Sequence, residues 1–141
     1  MKCVEQISAR GHPNITATHP TTLEFTKQPS LSKNGDCIVA VMATKGLKDL
    51  SESFKIYCQD DNSRILVEIS SSGVVERIRG RGSCFLTLNH PEEIVIRKSA
   101  YINDRTFMVG ADVAAVDLSR KLINAIRSSS ATINIRLTVE L

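Results

Sequence analysis

The chain has few aromatic residues and no tryptophan, which limits the ligands it can bind. Aromatic residues make up only 4% of the sequence. Proteins that bind single-stranded nucleic acid commonly stack the bases on aromatic side chains, so a site built on stacking is poorly supplied here. If the chain binds nucleic acid, the composition favours contacts to phosphates.

Two other missing features exclude further classes of protein. None of the four cysteines (Cys3, Cys37, Cys58 and Cys84) belongs to a C-x-x-C pair, which argues against a zinc ribbon. No apolar run approaches the ~20 residues that cross a bilayer, and the first ten residues lack the apolar segment of a signal peptide. We therefore expect a cytoplasmic protein with free thiols and no membrane partner.

The residues that are present indicate one globular domain. The chain has 141 residues, of which 42% are hydrophobic and 23% are charged, as is usual for a folded protein with a core of its own. Its formal net charge is +3. This mild excess of positive charge permits a polyanionic partner without requiring one.

An internal repeat is the most informative feature of the sequence. When the chain is shifted by 71 residues, segment 4–27 aligns without gaps with segment 75–98. The identical pairs are Val4/Val75, Glu5/Glu76, Ile7/Ile78, Arg10/Arg81, Gly11/Gly82, Thr16/Thr87, His19/His90, Pro20/Pro91 and Lys27/Lys98. Further along, a shift of 68 residues continues the alignment. We predict a single domain, 1–141, built from two repeats at about 3–70 and 74–138 that share one core.

The hydrophobic pattern predicts a mainly-β fold. Alternating apolar residues indicate strands, including a short one at 15–18 and its counterpart at 85–88. Helical spacing indicates one short helix in each repeat, at about 46–58 and 115–127. About ten strands usually curl or split into two sheets, so we expect an antiparallel sandwich or a closed barrel with a pseudo-twofold axis.

Several short motifs carry a family resemblance over essentially the whole chain. They are Gly11-His12-Pro13-Asn14, Ala17-Thr18-His19, Thr21-Thr22-Leu23-Glu24, Gly35-Asp36-Cys37-Ile38, the run Ile94 to Ser99, and the stretch Gly110 to Leu118. The set resembles an archaeal family of uncharacterised proteins, Domain of Unknown Function 371. The resemblance implies a small cytosolic archaeal protein with a jelly-roll-like β-sandwich, and it implies no particular activity.

The repeat separates shared polar residues from those found in one half only. Shared residues most often serve the common scaffold. His19 and His90 each precede proline, so we expect turn histidines that hydrogen-bond the backbone; the alternative is a ligand pair near the axis. The shared Asp49 and Asp117 are expected at the starts of the helices, as caps.

The first half has its own candidates for catalysis or metal binding. Together with His19, they are His12, Glu24, Asp36 and Cys37. The histidines and carboxylates are groups that a divalent metal or an acid–base pair would use, with His12 and His19 as the candidate metal ligands. Their spacing matches no established metal motif, and Glu24 could simply face solvent. Cys37 begins a buried strand, which favours an inert thiol.

The second half has a row of arginines. Arg77 and Arg79 fall on one strand face with the shared Arg81, because side chains in a strand point the same way at every second residue. Arg97 and Lys98, from another element, could extend this row into a site for phosphates. The alternative is a solvated charged strand that protects a sheet edge.

Three hypotheses for function remain open. The preferred one is a non-enzymatic protein that binds RNA or another phosphate-bearing polyanion, because the basic composition and the arginine row need the fewest coincidences. The second is a metal- or small-ligand-dependent enzyme with a site built from His12, His19, Glu24 and Asp36. The third is a structural protein in which an open sheet edge pairs with a second copy to form a homodimer. The sequence names no cofactor.

Overall fold

Eight strands form two four-stranded sheets in the computed structural model, which describes residues 1–141. In chain order the elements are β1 (Lys2–Arg10), β2 (Thr22–Thr26), β3 (Ile38–Ala40), α1 (Glu52–Cys58), β4 (Arg64–Ser71), β5 (Val74–Arg81), β6 (Glu93–Arg97), β7 (Thr106–Met108), α2 (Arg120–Ile126) and β8 (Thr132–Glu140). The first sheet has the order β1-β8-β4-β5 and is antiparallel throughout. The second has the order β3-β2-β6-β7. Its central strands are antiparallel, and each edge strand is parallel to its neighbour.

The expected β-rich sandwich is confirmed, and the sheets do not close into a barrel. The structure has eight strands because segments 15–18 and 85–88, predicted as short strands, are not extended. Ala17 and Leu88 have φ angles of 51° and 50°, in the left-handed region that interrupts a strand. Both side chains are nevertheless fully buried. The apolar pattern of these segments therefore reflects burial without strand pairing.

Each predicted helix consists of a short 3-10 turn, at Leu47–Asp49 or Ala115–Asp117, and the α-helix that follows it. Ser51 and Ser119 are the N-caps of α1 and α2, and each hydroxyl accepts a backbone N–H from the first turn. Serine favours this position because it satisfies an N–H that has no partner within the helix. No helix of the structure is long or apolar enough to cross a bilayer.

A single apolar core of 35 buried residues lies beneath both sheets and both helices. Phe54 of α1 stacks against Phe107 of β7, with ring centroids 6.1 Å apart. This contact joins the first half of the chain to the second. Half-chains of this size would bury too little apolar surface to fold alone, so the shared core explains why the two halves form one unit.

The order of elements is the same in the two halves of the chain. Each half runs through three strands, a 3-10 turn, an α-helix and a closing strand. The sheets are arranged accordingly: β1 and β5 are the edges of the first sheet, while β2 and β6 are the centre of the second. A twofold axis between the halves would produce this order. The duplication itself stays a prediction, as does the jelly-roll connectivity, and a superposition of the two halves would test it.

Two glycines shared by the halves lie where strands meet helices. Gly11 follows β1 and packs against the end of α2, where a Cβ atom would overlap the carbonyl oxygen of Ile126. Gly82 follows β5 and packs in the same way against the carbonyl of Cys58, at the end of α1. Each glycine therefore lets a strand of one half approach the helix of the other half closely.

Shared acidic residues also have scaffold roles. Asp49 and Asp117 each accept a backbone N–H at the start of a 3-10 turn, at 2.9 and 3.0 Å. Their carboxylates also bind Lys27 and Lys98, at 3.2 and 2.7 Å. These aspartates therefore lie at the helix entries, as the sequence predicted.

Candidate functional site

The arginines of β5 lie on the outer face of the first sheet. Arg77, Arg79 and Arg81 are all exposed. Strand pairing places Arg81 beside Arg64 of β4, and it places Arg77 beside Glu68. The alternation of side chains in β5 is therefore sufficient to align the three guanidinium groups on one side of the sheet.

The strand register extends this row into a larger basic surface. Seven basic side chains point outward from the four strands, against two acidic ones, Glu68 and Glu140. We call this surface the basic face. Its cationic side chains are Lys2, Arg10, Arg64, Arg77, Arg79, Arg81 and Arg136. Because the whole chain has a net charge of only +3, the rest of the protein is net acidic.

Most cations of the basic face have no acidic partner. Arg77 pairs with Glu68 at 3.2 Å, and Arg64 contacts Glu140 at 3.6 Å. The other five form no ion pair in the structure. Beyond the edge of β5, the Asp112 carboxylate accepts the backbone N–H of Arg79 at 2.8 Å. That carboxylate therefore binds the strand and leaves the Arg79 guanidinium free.

Two shallow depressions of about 280 Å³ each open on the basic face. Arg77 and Arg136 line the first, and Arg64 and Arg79 line the second. No aromatic residue contributes to either. A molecule in either depression would therefore contact charged and polar side chains and no aromatic ring.

Arg97 and Lys98, which the sequence placed beside the arginine row, lie elsewhere. Arg97 is on β6, in the other sheet, and only 9% of it is exposed. Its guanidinium donates to Thr106 Oγ1 at 2.8 Å and to Asn103 Oδ1 at 3.1 Å. Lys98 pairs with Asp117, as described above. Neither side chain is part of the basic face.

A second polar cluster lies on the outer face of the second sheet, and we call it the Glu24 network. It comprises Glu24, Glu93, Arg97, Arg105 and Thr106. The sequence allowed that Glu24 faces solvent, but only 4% of this residue is exposed. Arg105 Nη1 lies 3.5 Å from Glu24 Oε1 and 3.2 Å from Glu93 Oε1. One guanidinium therefore holds two carboxyl groups together.

The surroundings of Glu24 strongly affect its protonation. Burial, together with charge repulsion and hydrogen bonding from the neighbouring Glu93, raises the pKa of Glu24 to about 7, against the opposing effects of Arg105 and Arg97. Burial also raises the pKa of the adjacent Cys37 thiol to about 11, with a further contribution from Glu24. A thiol with such a pKa stays protonated at neutral pH, which makes it a weak nucleophile.

The histidines accept backbone hydrogen bonds within their own turns. His12 Nδ1 accepts the N–H of Asn14 at 3.0 Å. His19 Nδ1 accepts two N–H groups, at 3.2 and 3.1 Å, and His90 Nδ1 does the same at 3.2 and 3.0 Å. The shared histidines therefore fit the expected turn role.

The enzyme-site candidates do not assemble into a metal centre. Asp36 uses its backbone carbonyl to accept two N–H groups, at 3.0 and 3.2 Å. No group of three or more His, Cys, Asp or Glu side chains has a geometry that could hold a metal ion. Of the candidates, Glu24 and Cys37 lie together, and neither depression is lined by His12, His19, Glu24 or Asp36.

Sequence reasoning missed four members of the basic face, namely Lys2, Arg10, Arg64 and Arg136. A signal for them existed, because each occupies an outward position in an alternating strand. It also missed the partners of Glu24 in the Glu24 network. Those partners come from the second half of the chain, and no local sequence pattern indicates their contacts with Glu24.

Comparison with known proteins identifies the family. The model of the family described as Domain of unknown function (DUF371) matches residues 7–140 of the chain. The chain belongs to this family. The match begins within β1 and ends within β8, so the DUF371 domain includes both sheets.

A relative of this DUF371 protein is known by sequence. An uncharacterized protein of Methanocaldococcus jannaschii is 42% identical over 127 residues, which cover 90% of this chain and 93% of the relative. The predicted membership of an uncharacterised archaeal family is therefore confirmed. Neither description assigns an activity, so an argument about function must start from the geometry.

Proposed function

We propose that this DUF371 protein is a non-enzymatic protein that binds RNA or another phosphate-bearing polyanion on its basic face. The observation that carries the proposal is the asymmetry of charge. Seven basic side chains and two acidic ones share one exposed sheet face, whereas the remaining residues are net acidic. Clustered charge of one sign attracts and orients a ligand of opposite sign.

Contacts between arginine and phosphate supply the chemistry. The planar guanidinium donates two parallel hydrogen bonds to a phosphate, which makes arginine a better phosphate ligand than a simple point charge. Five cations of the basic face form no ion pair, so they can bind without first losing a carboxylate partner. Each phosphate contact releases condensed counterions, which makes the affinity fall as the salt concentration rises.

An enzymatic role for His12, His19, Glu24 and Asp36 has weaker support. In both histidines Nδ1 already accepts backbone hydrogen bonds, and Glu24 is buried against Arg105. No depression opens beside them. The basic face, in contrast, is exposed and has two shallow depressions.

Fluorescence anisotropy of a labelled mixed-sequence RNA, titrated with the protein at several salt concentrations, tests the proposal. We expect the logarithm of the association constant to fall linearly with the logarithm of salt concentration. The variant Arg79→Gln/Arg81→Gln should bind more weakly, with a slope shallower by about 1.4, because a single strand contributes ~0.7 per phosphate contact.

The matched control is Lys33→Gln/Lys121→Gln. Both lysines are exposed and unpaired, and neither lies on the basic face, so this variant loses the same charge from other surfaces. It should bind RNA as the wild type does. Equal weakening in the two variants, or no binding by the wild type at low salt, would contradict the proposal.

A further inference from the structure

We infer that the polyanion held by the basic face is a nucleic-acid duplex, whose two backbones contact the opposite margins of the first sheet. This inference rests on the proposed function and specifies its ligand. It follows from where the cations lie within the face, from the distance between them, and from the side chains that the face lacks.

The excess positive charge of the basic face lies on its two edge strands. The outward side chains of β1 include two cations and no acid, and those of β5 include three cations and no acid. The central strands are balanced, with Arg64 and Arg136 against Glu68 and Glu140. We call Lys2 and Arg10 the β1 margin, and Arg77, Arg79 and Arg81 the β5 margin.

The two margins are separated by the width of the sheet. In the order β1-β8-β4-β5, three inter-strand spacings lie between them, or about 14 Å at ~4.8 Å per spacing. This is close to the ~12 Å width of the major groove of B-DNA. The two backbones that border a groove can therefore each contact one margin, whereas a single strand supplies only one line of phosphates.

The neutral middle of the sheet also suits a duplex. Apart from the two arginines and the two glutamates, the outward side chains of β4 and β8 are Leu66 and four small polar residues, Ser70, Thr132, Asn134 and Thr138. The hydroxyl and amide groups of these small residues can hydrogen-bond to sugars or groove edges. A sheet with basic residues on all four strands could bind a single line of phosphates anywhere. Excess positive charge on the two edge strands alone favours a ligand with two lines of phosphates.

The lack of aromatic side chains disfavours a single strand. The only outward apolar residues of the basic face are Val4, Leu66 and Val75. The exposed aromatic residues lie elsewhere: Tyr101 packs on Arg97 beside the second sheet, and Phe85 belongs to the loop after β5. A single strand would find no ring on which to stack its bases, whereas the bases of a duplex are already stacked.

Fluorescence anisotropy with matched probes tests the inference. The probes are duplex RNA, duplex DNA and single-stranded RNA of one sequence. The variants are Lys2→Gln/Arg10→Gln for the β1 margin and Arg79→Gln/Arg81→Gln for the β5 margin, with Lys33→Gln/Lys121→Gln as the control. If Arg10→Gln impairs folding, Lys2→Gln alone tests the β1 margin.

We expect at least one duplex to bind more tightly than the single strand. Each margin variant should weaken duplex binding and lower its salt slope by about 1.8, because each contact to B-DNA contributes ~0.9. The control should bind as the wild type does. Duplex binding that is unchanged in the β1-margin variant would overturn the inference, as would equal or tighter binding of the single strand.

The outcomes also separate this inference from the proposed function. If the single strand alone binds and its affinity depends on the β5 margin, the proposed function stands and the duplex inference fails. If none of the three probes binds, both fail.

Discussion

The outer faces of the two sheets use arginine in opposite ways. On the second sheet, Arg97 and Arg105 are bound by Glu24, Glu93 and Thr106. On the first sheet, Arg79 and Arg81 are exposed and have no acidic partner. The difference shows that the number of arginines in a segment does not indicate a binding site. Their availability does, and it depends on whether a neighbouring strand or loop supplies acceptors.

A segment that covers the outer face of the second sheet accounts for this difference between the sheets. The segment between β6 and β7 contributes Tyr101, Asn103 and Arg105, which surround the buried Arg97. The first sheet has no such cover, and its outward residues are exposed or half-buried. In the predicted alignment of the halves, Glu24 corresponds to Val95 and Arg97 to Thr26. The network therefore uses positions at which the halves differ.

Replacing Arg97 should have the largest effect on stability. Arg97→Met removes the two hydrogen bonds that the guanidinium donates to Thr106 Oγ1 and Asn103 Oδ1, and it removes positive charge near Glu24. Breaking a buried, charged hydrogen-bond network of this kind costs about 2–4 kcal/mol. Urea denaturation measures the free energy of unfolding. Arg79→Met, on the basic face, is the matched control and should be close to wild type; equal stability of the two variants would remove the contrast between the faces.

Removing the hydroxyl of Thr106 should have a smaller effect. Thr106→Val keeps the shape of the side chain but leaves the Arg97 Nε–H and the Asn103 N–H without an acceptor. An unsatisfied buried donor costs about 1–3 kcal/mol. The change in thermal midpoint, followed by circular dichroism, measures the loss. The exposed Thr132→Val is the control, and an equally small effect in both would show that the Thr106 hydroxyl is dispensable.

The raised pKa of Glu24 predicts a graded loss of stability with pH. The folded protein retains this proton up to about pH 7, whereas the unfolded chain releases it near 4.5, the ordinary pKa of a glutamate. Between these values the folded state binds more protons, so stability should fall as pH rises and then level off. Denaturation at several pH values should show this slope in the wild type and not in Glu24→Gln. Parallel profiles would contradict the assignment of the slope to Glu24.

Substitutions on the basic face should have the smallest effect on stability. Arg79→Gln removes an exposed guanidinium without an ion-pair partner, so the free energy of unfolding should change by less than about 0.5 kcal/mol. The same variant should bind polyanions more weakly. Denaturation and anisotropy on one preparation check both results, and a large destabilisation would show that Arg79 is structural.

Much of the local structure was predictable from the sequence. The alternation in β5 was enough to align Arg77, Arg79 and Arg81, and the shared Asp49 and Asp117 were expected at the starts of the helices, where they accept backbone N–H groups. The segment 15–18 was not predictable in the same way, because a buried apolar run can adopt φ angles that no strand contains. The Glu24 network was not predictable because its members come from β2, β6, the segment before β7 and the first residue of β7.

By itself, the sequence determined which side chains of each strand share a face, because alternation is a property of the local backbone. It also determined the family and the excess of basic residues. Only the tertiary structure decided which arginines are free. β6 pairs with β2 in a different sheet from β5, so Arg97 finds buried acceptors while Arg79 faces water. Whether a charge is neutralised depends on such long-range contacts, which no local pattern contains.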